Sequence, residues 1–325
     1  MTALGSRARL DQQTKLSRAE RRRQRIRARE EQEGVVPMRL LGVRRSTVWF
    51  VTFLGLLFAA FTLVPIVWVV INSTKSQGDL LQSFGFWFSG PFKLFENFSR
   101  LFQNVDGDGV YFKWFLNTLL YAAVGGIGAT ILSTLAGYGF ARFHFRGSRA
   151  LFLFVLSALL VPITAISYPL YLVYAHVGLI NSIWGMILPS MVAPVGVYLM
   201  KTFIEASVPQ ELIDAARVDG AGEFKIFRRL AFPLMGPGFM TVLLINVVAV
   251  WNNYFLPFII FSENNRFPLT VGMGVWANRA AASGDQRIYP LLVIGGLVTI
   301  IPLIGLFWII QRRWRGGLLV GGLAN

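Results

Sequence analysis

Six long runs of apolar residues, separated by polar segments, dominate the chain. They cover approximately residues 47–71, 114–140, 150–174, 183–204, 236–261 and 288–310. A helix needs about 20 residues to cross a bilayer core, and a spanning segment must satisfy its own backbone hydrogen bonds. The pattern therefore predicts an all-α polytopic membrane bundle of six transmembrane helices. Buried helices of a soluble protein are the alternative, but six such runs in 325 residues leave no polar layer to enclose them.

Composition agrees with a membrane protein and adds little about chemistry. Hydrophobic residues make up 54% of the chain, compared with about 45–50% in soluble domains. Cysteine is absent, so no disulfide or thiolate metal site is expected. A secretory signal peptide is not expected either, because the first apolar run begins after a hydrophilic tail and is too long for such a signal.

The distribution of positive charge predicts the orientation of the chain. Of 31 Lys and Arg residues, 13 lie in the basic tail 1–46 and 11 lie in the loop 141–149, the segment 201–235 and the C-terminal end. Only seven lie on the opposite side of the predicted bundle. Because Lys and Arg are enriched in cytoplasmic loops, both termini are expected in the cytoplasm. The net charge of +15 mostly reflects this asymmetry.

The basic tail 1–46 lacks an apolar stripe and is expected to be a solvated arm. Contact with anionic lipid headgroups is the main alternative, and nucleic acid is not an expected partner. The predicted organisation is this tail, a transmembrane domain at 47–315, and a glycine-rich cytoplasmic tail at 316–325.

The apolar cores contain no Asp, Glu, Lys or Arg when Lys201 is counted with the polar segment that follows. Carriers driven by protons or ions usually place ionisable groups at membrane depth. The chain is therefore expected to be a passive pore or to draw its energy from a partner.

The second run contains two rows of small residues at a spacing of four. The rows are Gly125, Ala129, Ser133 and Gly137, and Ala122, Gly126, Thr130 and Thr134. Small residues at this spacing let helix backbones approach closely in a membrane. We expect a seam between helices here, with a glycine hinge as the alternative.

The fifth run ends in a group of amide and aromatic residues. Asn246 and Asn253 are seven residues apart and are expected on one helical face, next to Trp251, Asn252 and Tyr254. A buried amide in lipid needs a partner on another helix or water. Interhelical bonding and a polar translocation path both remain open, and such a path would suit the hydroxyls and ring faces of a sugar.

A charged segment, residues 205–235, separates the fourth and fifth runs. Pro209 is expected to start a short helix whose Glu211, Asp214 and Arg217 share one side. Gly220, which follows Asp219, permits a sharp turn, and Pro233 is expected to restart the chain towards the fifth run. An ordinary amphipathic interfacial helix is the alternative.

The residues of this segment resemble the Glu-Ala-Ala loop of ABC-importer permeases. That motif has a Glu-Ala-Ala triplet, a Gly four residues after the second Ala, and a Leu/Ile-x-Leu-Pro ending. The matching residues here are Asp214, Ala215, Ala216, Gly220, Leu230, Phe232 and Pro233, with Asp in place of Glu and Phe in place of the second Leu. Asn117-Thr118, Gly178–Asn181, Pro209–Gly220 and Trp251–Asn253 are similar to the carbohydrate-uptake branch, which includes the inner-membrane maltose-permease subunits. The resemblance covers roughly residues 47–315.

The resemblance implies a type I ABC-importer permease of a bacterial inner membrane. Such a permease moves a sugar or oligosaccharide inward by alternating access and is not an enzyme. The chain has no Gly-x-x-x-x-Gly-Lys-Ser/Thr loop, so it is expected to bind no cofactor. ATP and Mg are expected in two partner ATPase subunits. A second permease subunit, an extracytoplasmic solute-binding protein and membrane lipid are the other implied partners. A permease for glycerol phosphate or an amino acid, or a passive channel or scaffold, is the alternative.

The family arrangement also implies roles for individual residues. Contact with the ATPase is implied for Glu211, Asp214, Ala215, Ala216, Arg217, Asp219, Gly220 and Pro233. The C-terminal tail resembles the glycine-rich tails of relatives, although it lacks their lysine.

Overall fold

The structure, a computed structural model, describes residues 45–103 and 109–314, with side chains described for 46–103 and 109–311. Within these ranges the chain forms α-helices joined by short 3-10 and π segments, and no strand occurs. The helices are α1 (Arg45–Ser73), α2 (Gln77–Gln82), α3 (Leu94–Gln103), α4 (Val110–Arg142), α5 (Ser148–Ser157), α6 (Ile163–Val177), α7 (Ile183–Ser190), α8 (Pro194–Ser207), α9 (Gln210–Val218), α10 (Glu223–Ile226), α11 (Phe232–Leu234), α12 (Gly236–Trp251), α13 (Phe255–Ile260), α14 (Leu269–Ser283) and α15 (Ile288–Trp314). The prediction of an all-α bundle is confirmed.

Five stretches of the described residues are long and apolar enough to cross a membrane. They are Ser46–Ser73, Val110–Arg142, Ile183–Ser207, Gly236–Ile260 and Ile288–Gln311. The remaining apolar run is a pair of helices, Ser148–Leu160 and Ile163–Val177, that meet at 99°. The described residues therefore contain six spans only if the bent pair counts as one.

The bend lies within the third apolar run, and Pro162 explains it. Proline has no backbone N–H and disfavours the helical conformation of the residue before it. Val161 accordingly adopts an extended backbone, with φ −88° and ψ 116°. The helix therefore ends before Val161, and α6 starts in a new direction after Pro162.

The two rows of small residues on α4 form the predicted helix seam. All eight positions of these rows are buried. A Cβ on Gly137 would lie 2.8 Å from the backbone nitrogen of Lys201 on α8. On the neighbouring face, Gly126 lies equally close to the backbone of α12. The interpretation as a seam is confirmed, because α8 and α12 approach α4 at distances that larger side chains would prevent.

Two buried apolar clusters lie towards opposite ends of α4. The cluster near its beginning includes Tyr111, Trp114 and Tyr121 together with residues of α13, α14 and α15. The cluster near its end includes Tyr138 and residues of α8, α9 and α12. The second cluster also reaches Ile226 at the end of α10. The charged segment after α8 is therefore attached to the bundle by buried apolar side chains.

Leu63–Arg315 form one compact unit, and the described residues 45–62 belong to a second unit. In the described part of the second unit, the side chains of 46–62 are almost all exposed. The basic tail before Arg45 and the glycine-rich tail 316–325 lie outside the described residues. The predicted boundaries at 46/47 and 315/316 stay predictions.

Candidate functional site

The predicted coupling segment, residues 205–235, contains a two-turn helix, α9, at the position expected from the sequence. Pro209 precedes its first residue with φ −59° and ψ 140°. Its inner face is anchored by Ile213, which is fully buried in one cluster with Ile204, Val208 and Tyr138. Burying an isoleucine side chain contributes about 1.5–3 kcal/mol. This short helix is therefore held against the bundle by packing, because its length alone would not make it stable.

The end of α9 explains the spacing between Ala216 and Gly220. Gly220 has φ +75°, a conformation that suits glycine. Its N–H donates to the carbonyl of Arg217 at 3.0 Å, and the N–H of Ala221 donates to the carbonyl of Ala216 at 3.0 Å. These two bonds constitute a Schellman C-cap. The motif thus places its glycine where the helix must end and turn.

Ion pairs fix the turn between α9 and α10. Nη1 of Arg217 lies 3.1 Å from Oδ1 of Asp214, and its Nε lies 2.7 Å from Oε1 of Glu223. These contacts raise the pKa of Arg217 above its ordinary value, chiefly through the hydrogen bond to Glu223. The expected proximity of Asp214 and Arg217 is confirmed. Since all three groups are partly exposed, each pair contributes little stability, and their main effect is to orient the turn.

The outer face of this segment is exposed and partly apolar. Val218, Phe224 and Leu212 are 89%, 75% and 44% exposed, respectively. Glu211, Asp214, Ala215 and Asp219 are also exposed, and Ala216 is half-buried. With the exception of Pro233, the predicted coupling residues therefore lie together on one helix and the turn after it, with apolar side chains between the charged ones.

Pro233 lies inside a helical stretch and does not begin a new one, which corrects the expectation that it restarts the chain. Phe227–Ala231 form a π-helical turn, in which the N–H of Phe232 donates to the carbonyl of Phe227. Pro233 follows in the short helix α11. Proline lacks the N–H that would bond to the carbonyl four residues earlier, so it disrupts a regular helix. The π-helical turn lies directly before the helix of Pro233, where this bond is missing. The break comes at Met235, before α12.

The five residues predicted for a translocation path differ in burial and in their contacts. Helix α12 ends at Trp251, so Asn246 and Asn253 do not share a regular helical face as their spacing predicts. Asn246 is 5% exposed, and its amide donates to Oγ1 of Thr130 at 3.2 Å. This geometry fits the interhelical-bonding interpretation. Trp251 is buried and contacts the ring of Phe115 edge-on.

The other three residues of this group are more accessible. The side chain of Asn252 is exposed and donates to the carbonyl of Val248 at 2.9 Å. Asn253 is half-buried and its side chain accepts from the N–H of Leu256 at 3.3 Å. Tyr254 is exposed and stacks on Phe258 at 5.3 Å between ring centroids. Asn252 and Tyr254 are thus the exposed members of the group.

Two of the flanking motifs hold the connection between α13 and α14. Oδ1 of Asn181 accepts from the N–H of Ser262 at 2.7 Å. Asn117 donates to the carbonyls of Asn265 and Phe267 at 2.8 and 3.0 Å. Oγ1 of Thr118 accepts from the N–H of Leu269 at 2.7 Å. These family-like residues therefore have a structural explanation that their sequence pattern did not reveal.

Sequence reasoning missed two residues of α4 that contact the predicted coupling segment. Arg142 is buried and donates to residues on both sides of the α8–α9 corner. Tyr138 packs edge-on against Phe227, with ring centroids 5.0 Å apart. A lone Arg after an apolar run is a common orientation signal, so no pattern distinguished Arg142 from Arg146 or Arg149.

Comparison with known proteins identifies the family. A sequence profile described as "Binding-protein-dependent transport system inner membrane component" matches residues 129–315. The chain belongs to this family. It is a multi-pass permease component of a binding-protein-dependent importer, as the resemblance of its charged segment predicted.

Curated relatives of this permease cover most of its length. It is 31% identical over 281 residues to the arabinooligosaccharides transport system permease protein AraQ of Bacillus subtilis, covering 86% of this chain and 95% of AraQ. It is 29% identical to the diacetylchitobiose uptake system permease protein NgcG of Streptomyces coelicolor, covering 82% and 85%. It is 27% identical to the maltodextrin transport system permease protein MdxG of Bacillus subtilis, covering 82% and 94%. All three relatives are named as permease proteins of transport or uptake systems.

The fold also matches a solved transporter. The permease aligns with a chain from the crystal structure of a bacterial ABC transporter involved in the import of the acidic polysaccharide alginate, with a TM-score of 0.68 and 21% identity. The alignment covers 83% of this chain and 98% of that chain. At this identity the likeness shows the fold alone, and it agrees with the predicted ABC-importer bundle.

Proposed function

We propose that this chain is one permease subunit of an ABC importer for a sugar or oligosaccharide. The coupling segment 205–235 is the part that partner ATPase subunits move. Relatives named for the transport of arabinooligosaccharides, diacetylchitobiose and maltodextrin support a carbohydrate as the solute. The absence of charged residues from the cores of the apolar runs supports an external energy source.

The observation that carries this proposal is the two-sided character of α9. Its inner side is fixed by buried Ile213, and the ion pairs of Arg217 orient the turn after it. Its outer side presents Leu212, Val218 and Phe224 to solvent. Exposed apolar side chains rimmed by charges are typical of protein–protein contact sites. A rigid helix with such a face is suited to receive force from a partner and to pass it to the bundle.

The remaining partners follow from the family arrangement. A second permease subunit completes the pathway, and an extracytoplasmic binding protein delivers the solute. ATP and Mg are bound by two ATPase subunits and not by this chain. The excess of Lys and Arg on one side supports a topology in which the coupling segment and both termini are cytoplasmic.

The exposed Asn252 and Tyr254 are the side chains that we assign to the solute path. An amide offers both a donor and an acceptor to sugar hydroxyls, and an aromatic ring offers a flat apolar face. Asn246 and Trp251 are buried between helices, so they support the residues of the path and do not line it themselves.

Photo-crosslinking within the complete reconstituted importer tests this function. The variant Val218→p-benzoyl-phenylalanine should crosslink to an ATPase subunit, in an amount that changes with nucleotide. The variant Ala281→p-benzoyl-phenylalanine, also at an exposed position, should not. Transport should require ATP and the loaded binding protein. Solute uptake by the isolated chain under a proton gradient, or no ATPase crosslink from position 218, would contradict the proposal.

A further inference from the structure

Arg142, the last residue of α4, is the buried charge whose position in the fold calls for an explanation. It is 8% exposed. Its Nη2 donates to the carbonyl of Ile204 at 2.6 Å and to the carbonyl of Val208. Ile204 lies in the last turn of α8, where its carbonyl also accepts from the N–H of Val208, and Val208 is the residue that follows this helix. The C-terminal end of a helix carries partial negative charge, which favours a cation here. Arg142 thus closes the end of a neighbouring helix.

The same guanidinium also reaches the coupling helix. Its Nη1 donates to Oε1 of Gln210, the first residue of α9, at 3.1 Å. Nε2 of Gln210 donates in turn to Oδ1 of Asp214 at 3.0 Å. Since Asp214 also accepts from Arg217, a continuous set of hydrogen bonds joins α4 to the C-terminal end of α9.

This arrangement restricts where α9 can lie relative to α4. A buried guanidinium that loses an acceptor is costly, because a hydrogen bond to a charged group contributes more than a neutral one. Within the described residues, Arg142 has no carboxylate partner, and its acceptors are the two α8 carbonyls and Gln210. The guanidinium group presents its N–H donors in a fixed, planar arrangement, which suits several acceptors held at fixed positions. Moving α9 away from α4 would therefore break the Gln210 bond and leave the buried Arg142 with one acceptor fewer.

The rest of α4 is built to pass on such a movement. Its buried small residues lie in backbone contact with α8 and α12, so α4 cannot slide past these helices without losing that packing. One turn before Arg142, Tyr138 packs against Phe227 in the segment that follows α10. The end of α4 therefore contacts the coupling segment on both sides of its turn.

We propose that Arg142 and Gln210 are positioning residues that tie the coupling helix to the end of α4, so that displacement of α9 is carried into the membrane bundle. This inference rests on the proposed function of α9. It adds that the link is polar and specific, whereas apolar packing alone would attach α9 without tying it to one position.

The test compares solute molecules transported per ATP hydrolysed in the complete reconstituted importer. Gln210→Ala removes the bridge but leaves Arg142 bonded to the α8 carbonyls. Arg142→Lys keeps a positive charge at this position but loses the planar set of N–H donors of the guanidinium group. Gln103→Ala is the control, because that glutamine lies on α3 and its side-chain amide donates to Ser99 of the same helix. Coupling between two sites usually changes an affinity about fivefold or more. A decrease of that size in the number of solute molecules transported per ATP is expected for Gln210→Ala and Arg142→Lys but not for Gln103→Ala.

A purely structural role for these residues would lower the amount of inserted, assembled complex and leave the ratio unchanged. That outcome, or an unchanged ratio in Gln210→Ala, would overturn the inference. The crosslink from position 218 separates it from the proposed function. If Val218→p-benzoyl-phenylalanine crosslinks to an ATPase subunit in the otherwise wild-type chain but the transport ratio does not fall in Gln210→Ala, only the inference fails. If that crosslink is absent, both the inference and the proposed function fail.

Discussion

Gly126 of α4 lies against the backbone of Val247 on α12. A Cβ at position 126 would be 2.8 Å from Cα of Val247 and 3.0 Å from its backbone nitrogen. Backbone atoms cannot rotate away as a side chain can, so this contact sets the distance between the two helices. In lipid there is little hydrophobic driving force between helices, so the packing that such close approach allows is a main source of helix association.

The change Gly126→Ala is expected to destabilise the bundle by about 1–3 kcal/mol, the usual cost of overpacking. Thermal unfolding of the purified subunit complex in detergent would measure it. Gly139→Ala is the control, because it lies on the same helix with nothing within 4 Å of the added Cβ. That variant should unfold at the wild-type temperature or slightly above, because alanine favours a helix more than glycine does. Equal behaviour of the two variants would argue against the seam.

Gly220→Ala is expected to strain the end of α9 by roughly 1–2 kcal/mol, because an L-residue is disfavoured in the left-handed conformation. Solute-stimulated ATP hydrolysis and transport should both fall, while the amount of chain in the membrane stays the same. Gly222→Ala is a close control, since Gly222 has φ −68° and open space around it.

Gly220→Pro should have a larger effect than Gly220→Ala, because it also removes the N–H that bonds to Arg217. Full coupling in both Gly220 variants would show that the C-cap does not matter for energy transfer.

Asn246→Ala and Asn252→Ala should have different effects. Asn246 is buried and bonded to Thr130, so its loss should lower thermal stability by about 0.6 kcal/mol, a typical interhelical bond in membranes. Asn252 is exposed, so its loss should raise the KM for solute and leave stability unchanged. Measurements of unfolding temperature and of transport kinetics on both variants check this assignment. A KM effect from Asn246 alone would reverse it.

The predicted orientation can be tested by labelling, because the chain has no cysteine. Ser262→Cys and Ala281→Cys lie at exposed positions on the side with few basic residues, and His144→Cys lies at an exposed position after α4. In intact cells an impermeant maleimide should label the first two and not the third. Labelling of His144→Cys alone would invert the topology, together with the cytoplasmic placement of α9.

Several properties could be predicted from the sequence because they depend on local composition and short spacings. Apolar runs of sufficient length become helices in lipid whatever their neighbours are, so the all-α bundle was predictable. The spacing between Ala216 and Gly220 was informative because a Schellman cap is built from consecutive residues. The three-residue spacing of Asp214 and Arg217 likewise sets their distance through the helix itself.

Other properties depended on contacts between distant parts of the chain. Proline in an apolar run signals a bend, but the angle of 99° at Pro162 could not be read from the sequence, because a proline disrupts a helix without fixing the direction of the chain after it. Asn246 and Asn253 were expected on one face, yet the helix ends between them. The role of Arg142 depends on carbonyls more than 60 residues away, and no local pattern records such a partner. The sequence by itself determined the helical class, the seam and the coupling motif, whereas only tertiary packing decided which polar side chains are buried against a neighbour and which remain open to a solute or a partner.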